Sequence, residues 1–283
     1  KVLCVVNTRK EAANLFARLN CHEGTYHLSA AMCPAHRSVV LAEIKNRLVH
    51  PESACRVVST QLIEAGVDID FPVVYRALSG VDSIAQAAGR CNREGKLGKP
   101  GEVFIFEPEK APPAGHLRQA AEAACGVLRH RDDILQPEAV FEYFSLLYWQ
   151  EGKELDAGRI LERFEDGKGQ CLFPFRQVAD EFSFIKDGGA SVIIPWGDAG
   201  RRLIEELRTS EPNRQLARQL QRFTVQVRPR EFQALDGHGA LLHLHERFDV
   251  LQFPEFYSNN TGLNPGGEGL SDPDRRGPEF RLW

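Results

Sequence analysis

Residues 1–107 alternate short, almost continuously apolar runs with stretches whose apolar residues recur at helical spacing, and few architectures accept that alternation. Val2–Val6, Arg56-Val57-Val58, Val73-Val74-Tyr75 and Val103–Phe106 are runs of the kind that form strands buried on both faces. Residues 10–19 set Ala12, Leu15, Phe16 and Leu19 on one helical stripe, and Ala35–Leu48 does the same with Val40, Leu41, Ile44 and Leu48. Val81–Cys91 reads as a third helix. Strands separated by helices predict an α/β fold: a parallel sheet flanked by helices.

Pro108, Pro112 and Pro113 close that unit and set a boundary near residue 112. Beyond it the period changes. Leu117–Arg131 and Pro137–Gln150 read as helices, the second with proline in its first turn and Phe141, Phe144, Leu147 and Tyr148 on one face. Leu155–Phe164 reads as a third. Phe182–Ile185 and Ser191–Ile194 suggest a hairpin, Ala199–Arg208 and Asn213–Gln221 helices, and Phe223–Val227 and Leu241–His245 strands. The stretch from Gly262 to Pro278, rich in Gly, Pro, Asp and Arg, is expected to be a mobile tail. The predicted organisation is an α/β domain over 1–112, a helical linker over 113–165 and a smaller α+β accessory domain over 166–283.

Composition narrows the setting. The chain has 283 residues, 42% hydrophobic and 26% charged, which predicts folded domains. No apolar run approaches the roughly 18–20 residues of a membrane span. Lys1–Val6 is too short for a signal peptide and soon meets Arg9, Lys10 and Glu11; without Met at position 1, the chain is expected to begin inside a longer gene product. Residues 1–112 hold 14 basic against 12 acidic side chains and residues 113–283 hold 21 against 27, so nucleic-acid contact would need a local groove. Seven cysteines without a Cys-x-x-Cys pair predict reduced thiols and a cytoplasmic protein.

Two segments carry chemistry. In Ser83–Gly95, a continuous helix would project Gln86, Arg90 and Arg93 from one face, and Gly89 would leave room for a close neighbour. Two converging guanidiniums repel unless an anion sits between them, and the guanidinium fork suits phosphate oxygens. In Val58–Asp70, a strand ends at Ser59-Thr60, whose hydroxyls and following N–H groups are placed to bind phosphate at a helix N-terminus. Gly66 permits a sharp turn, and Asp68 can accept from a ribose hydroxyl or order an arginine. Each segment alone reads as a solvated helix or an acidic turn; together they favour nucleotide chemistry.

These segments resemble motifs V and VI of superfamily-two helicases, in the second RecA-like domain. The string Gln86-Ala87-Ala88-Gly89-Arg90-Cys91-Asn92-Arg93 is closest to the CRISPR-associated helicase–nuclease of type I systems. Val2–Thr8 resembles the strand of motif IV, and His27–Met32 followed by Arg37 the next strand and turn. The resemblance implies a RecA-like fold for 1–112 and the linker and accessory domain of that family beyond it. It implies that Arg90 and Arg93 are arginine fingers, that Gln86 positions the attacking water, and that Gly66, Asp68 and Gly89 line the nucleotide cleft. Thr8, Arg37, Ser59 and Thr60 would touch single-stranded DNA. ATP and Mg2+ would be shared with a preceding domain, and the parent would be an ATP-dependent 3′-to-5′ DNA translocase and nuclease in antiviral defence, recruited by the RNA-guided surveillance complex.

The chain has no Gly-x-x-x-x-Gly-Lys-Ser/Thr loop, no acidic magnesium motif and no His-Asp dipeptide, so it would supply half of an ATP site and none of the nuclease. Two rivals stand beside this reading: another superfamily-two helicase, and a non-catalytic module that binds DNA, the surveillance complex or an anti-CRISPR inhibitor protein. Weaker signals take plainer readings. His243 and His245 are expected in packing or surface roles, Cys21-His22 as neighbours without catalytic use, and Phe253, Phe256 and Tyr257 as anchors of the last ordered segment. Asn259-Asn260-Thr261 matches a glycosylation acceptor with no role in a cytoplasmic protein. Arg201, Arg202, Arg214, Arg218 and Arg222 are expected on a solvated face.

Overall fold

Side chains of the first strand, β1 (Val2–Val5), separate by the two-residue period of extended chain: Leu3 and Val5 enter one hydrophobic cluster, Cys4 and the following Val6 another. The computed structural model describes residues 1–64, 66–166, 173–182, 189–266 and 281–282. Thr8 caps α1 (Arg9–Leu19), accepting from the Glu11 N–H while Glu11 reaches back to the Thr8 N–H. The order continues with β2 (Thr25–Leu28), α2 (Pro34–Val49), β3 (Arg56–Ser59), β4 (Val73–Ala77), α3 (Val81–Ala88) and β5 (Glu102–Glu107). These five strands are parallel in the order β5-β4-β1-β3-β2, with Arg281–Leu282 adding a short antiparallel edge to β5. The chain leaves β3 on one side of β1 and returns at β4 on the other, so the carboxyl ends of β1, β3 and β4 surround a topological switch point.

The segment expected to be a linker has a core. Helices α4 (His116–Leu128) and α5 (Pro137–Glu151) bury Ala120, Ala124, Val127, Tyr143 and Leu147 with Val81 and Ile84 of α3. Half of the face expected on α5 holds: Leu147 is buried and Phe144 packs against the same core, whereas Phe141 and Tyr148 are corrected to exposed positions and Tyr143 takes the inner place. Small alanines on α4 let the helices approach closely, which selects the Tyr143 stripe as the inner one. The short helices α6 (Ile160–Asp166) and α7 (Phe175–Glu181) follow, joined by an aromatic cluster of Phe164, Phe173 and Phe175. Sequence periodicity did not reveal α7.

The accessory domain is built from β6 (Ala190–Ile193), α8 (Gly197–Thr209), α9 (Arg214–Leu220), β7 (Thr224–Val227), α10 (Pro229–Gly237), β8 (Leu241–Leu244) and β9 (Phe248–Leu251). Its strands lie in the order β7-β6-β9-β8, and the central β6–β9 pair is parallel. Residues 183–188 of the expected hairpin, and 267–278 of the expected tail, fall outside the described residues; β6 itself pairs with β7 and β9.

This domain docks on the start of α2. Cys33 and Ala35 are buried in its core. His36 Nε2 lies 2.9 Å from the Asn259 carbonyl and therefore donates, leaving Nδ1 to accept from the Tyr257 hydroxyl 2.9 Å away. Tyr257 accepts in turn from the Cys33 N–H, and the His36 ring stacks on Trp196 at 4.9 Å. Burial holds the His36 pKa below its ordinary value, which keeps the imidazole neutral in this arrangement. Phe256 and Tyr257 thus anchor the final segment, while Phe253 stays exposed. The Leu263 N–H donates to Ala31 O, and the neighbouring Gly262 has φ +83° and no room for a side chain: a Cβ there would lie 2.4 Å from Ala31 O.

Gly262→Ala should therefore destabilise the chain by more than the roughly 1–3 kcal/mol of backbone strain alone, whereas Gly239→Ala, at φ +63° in open space, should cost only the strain. Urea titration of both variants checks this. Buried His27 has its pKa lowered by desolvation from 6.5 to about 4. The unfolded chain takes up that proton first as pH falls. The stabilisation is complete above about pH 6.5 and is lost towards pH 4, by roughly 3 kcal/mol. Denaturation midpoints of His27→Gln should fall less steeply with pH than those of the parent chain.

Candidate functional site

Three chain segments meet at the switch point: Asn7-Thr8 after β1, Thr60–Asp70 after β3, and Leu78–Arg93 after β4. They are joined by Arg76, a β4 side chain with no exposure to solvent. Its Nη1 donates to Asn7 Oδ1 and Ala77 O, both at 2.8 Å, and Nη2 donates to Ser83 Oγ at 2.8 Å. Nε lies 3.0 Å from Glu64 Oε1, off the line of a hydrogen bond, so that contact is Coulombic. Ser83 passes its own hydrogen to the Glu64 carboxylate at 2.7–2.8 Å. Burial raises the Glu64 pKa and lowers that of Arg76, each opposed by the partner's charge. Removing one member of such a pair costs about 3–5 kcal/mol, because the other charge is left buried.

The expected helical face of Gln86, Arg90 and Arg93 is corrected. Helix α3 stops at Ala88, and Gly89 is its C-cap. The chain then bends back: the Phe71 N–H donates to Arg90 O, the Asn92 N–H donates to Phe71 O, and Asp70 accepts from the N–H groups of Arg93 at 2.8 Å and Glu94 at 3.2 Å. Those bonds replace another helical turn. Asn92, at φ +46°, donates to Lys99 O and accepts from the Leu97 N–H, which braces the following loop. Sequence reasoning missed the bracing roles of Asn7, Glu64, Asp70, Arg76 and Asn92. Asn92 and Asp70 carried a signal in their turn-forming type beside the two arginines, whereas Arg76 in an apolar strand had none beyond its rarity there.

Both arginines contact the loop that follows β3, at different points along it. Arg90 is half-buried and donates from Nε to Ile63 O at 3.0 Å and from Nη2 to Glu64 O at 2.6 Å. Arg93, 48% exposed, is held by Asp68 at 2.5 Å. Of the two roles open to Asp68, the structure shows it ordering an arginine. Gln86 is exposed on α3. Gly66 makes its turn at φ +72° with open space around it, while Gly89 has an ordinary φ of −64°.

The residues expected to touch DNA are divided. Ser59 is completely buried and its hydroxyl donates to Leu28 O and lies 3.0 Å from Thr60 O, so that expectation is corrected: the strand end faces inward and the hydroxyl serves the sheet. The phosphate-binding helix expected after it is a three-residue 3₁₀ turn, Gln61–Ile63. Thr60 is buried, and Thr8 is engaged in its cap. Arg37 instead lines a cleft of about 560 Å³ between the first domain and the accessory sheet, with Met32, Ser191, Gln226 and Arg247. Desolvation lowers its pKa, and no carboxylate lies within ion-pair distance among the described residues.

The weaker signals took their plain roles. His243 lies 2.6 Å from Asp249 and 3.0 Å from Asp236 on the accessory surface, and His245 Nε2 donates to Leu207 O. Arg201 is exposed and paired with Asp198. Among the described residues no three His, Cys, Asp or Glu side chains group to hold a metal, and no helix is long and apolar enough to cross a membrane.

Residues 1–96 match the family described as CRISPR-associated nuclease/helicase Cas3, C-terminal. The CRISPR-associated nuclease/helicase Cas3 of Haloferax volcanii is 31% identical over 161 residues, 47% of this chain and 17% of the relative. That of Methanothermobacter thermautotrophicus is 28% identical over 174 residues, 58% of this chain and 20% of the relative. The chain thus spans about a fifth of the length of these proteins. The crystal structure of T. fusca Cas3-ATP superposes with a TM-score of 0.55 at 18% identity, over 88% of this chain and 35% of that one. A CRISPR RNA-guided surveillance complex in a pre-nicking state contains a chain that superposes with a TM-score of 0.54 at 16% identity, over 94% of this chain and 40% of that one. The resemblance read from the motif segments is borne out as a similarity: residues 1–96 match the Cas3 C-terminal family model, and the chain is similar in sequence and fold to a C-terminal portion of Cas3, with a RecA-like α/β domain followed by an accessory domain.

Asp70→Ala should remove two charge-assisted hydrogen bonds and cost roughly 2–4 kcal/mol, read as a lower denaturation midpoint. Asp68→Ala, which breaks an exposed ion pair, should change stability by less than about 1 kcal/mol.

Proposed function

We propose that this chain is the second motor half and accessory domain of an ATP-driven, 3′-to-5′ single-stranded DNA translocase of type I CRISPR defence. The observation that carries the reading is the grip of Arg90 and Arg93 on one loop, residues 61–70, at the carboxyl ends of the central strands. Arg93 presents its guanidinium to solvent, and Arg90 keeps Nη1 clear of its two carbonyl bonds, so both have donors left for an anion. A triphosphate held by another domain would meet them there. Its γ-phosphoryl group spreads charge over three oxygens during transfer to water, and fixed guanidiniums stabilise that charge without reorganising. Exposed Gln86 would orient the water, and the open turn at Gly66 and the cap at Gly89 would admit the nucleotide. Mg2+ would arrive with the triphosphate and neutralise charge between its phosphates.

DNA would lie in the cleft lined by Arg37 and Arg247, whose charges suit a phosphate backbone whatever its sequence. Thr8 and Thr60 border that path only if the strand ends open. The RNA-guided surveillance complex would deliver the strand, and an anti-CRISPR protein would act by covering the same surfaces.

In the complete helicase, Arg90→Ala or Arg93→Ala should lower ATP turnover by about 10³–10⁵-fold with folding intact. Wild-type turnover in either variant overturns the assignment. Turnover by this chain alone would contradict the half-site reading, and DNA binding without any effect of the arginine variants on the parent would favour a non-catalytic module.

A further inference from the structure

The buried Arg76 group has a consequence for the site. Arg90 does not hold itself in place: its Nε and Nη2 rest on the carbonyls of Ile63 and Glu64, so the position of that turn sets the position of the guanidinium. The turn is in turn held from inside the sheet. The Glu64 carboxylate faces Arg76 at 3.0 Å and accepts from Ser83. Ser83 belongs to α3, the helix that leads into Arg90 and Arg93, and it accepts from Arg76 Nη2. Arg76 also donates to Asn7, whose Oδ1 is fixed because its Nδ2 donates to Leu78 O, and Asn7 O accepts from Gln61 Nε2. One guanidinium therefore touches, directly or through one hydroxyl, every segment that converges on the site.

We infer that Arg76 is a positioning residue for the nucleotide site: through Glu64 and Ser83 it locks the 61–64 turn to α3 and so fixes where Arg90 points. This rests on the reading that Arg90 serves a bound triphosphate. The arrangement is over-determined in a way that stability alone does not require. A buried ion pair is often replaced by apolar side chains of similar volume with no loss of stability. Such a replacement would keep the sheet and lose the lock, because apolar contacts do not fix the Glu64 side chain and Ser83 in direction as the charged contact and the hydrogen bonds do.

The test uses Arg76→Met combined with Glu64→Leu, which deletes both charges together, in the 283-residue chain. Hydrogen exchange of the segment 86–95 should accelerate at least tenfold while β1, β3 and β4 keep parental protection. Unchanged exchange in 86–95 overturns the inference. If the double variant does not fold, Ser83→Ala, which removes only the hydroxyl relay, is read on the same segment: exchange at least threefold faster supports the lock, and parental exchange overturns it. In the complete helicase, Arg76→Lys should lower kcat for ATP at least tenfold with KM within twofold, since three donors on one compact ammonium cannot span the separated partners that the planar guanidinium fork reaches; parental kcat overturns the inference. Arg90→Ala is measured beside it. Normal turnover there removes the nucleotide reading, while the exchange experiment still decides whether Arg76 anchors Arg90.

Discussion

A guanidinium sealed inside a parallel sheet must find partners for its charge and its N–H groups, because water cannot reach it. Arg76 meets that requirement with its neighbour Ala77 and with Asn7, Glu64 and Ser83, one from each of the three chain segments that arrive at the switch point. The demand for satisfaction thus acts as a geometric constraint. Apolar packing of Leu3, Val57 and Val74 forms the sheet, but it tolerates small slides; a four-way polar contact tolerates few. The loop that carries Arg90 and Arg93 inherits its position from that contact.

The second constraint lies at the start of α2. Domains that meet a neighbour only through exposed polar surface are free to swing. Here Cys33 and Ala35 are part of the accessory core, and His36, Tyr257 and Asn259 complete a closed set of hydrogen bonds. The cleft containing Arg37 therefore has walls from both domains, held at a defined spacing by packing rather than by a tether.

Much of the first domain was legible from residues alone. Apolar runs of three to five residues placed β1, β3, β4 and β5 to within a residue or two, since a strand buried on both faces leaves little room for polar side chains. The helix at 81–91 was legible in kind but not in length. Residues 89–93 can extend a helix as far as their own propensities go, and what stops them is the distant segment Asp70-Phe71, which pairs with the backbone of Arg90 and Asn92 and accepts from the N–H groups of Arg93 and Glu94. The α5 face was half legible for a similar reason: Phe144 and Leu147 pack inward as expected, but Phe141, Tyr143 and Tyr148 are all aromatic, and only the contact with α4 decides which of them is covered.

The sequence by itself determined the parallel α/β class of the first hundred or so residues and the pairing of two arginines with an acidic turn. These follow from local periodicity and residue chemistry, which read the same wherever the chain goes. Tertiary structure decided that Ser59 turns inward, that Asp68 holds Arg93, that Arg90 leans on the 61–64 turn and that Arg76 ties the segments together. Each of these depends on groups brought together from distant positions, and their energies exist only once burial has removed competing water.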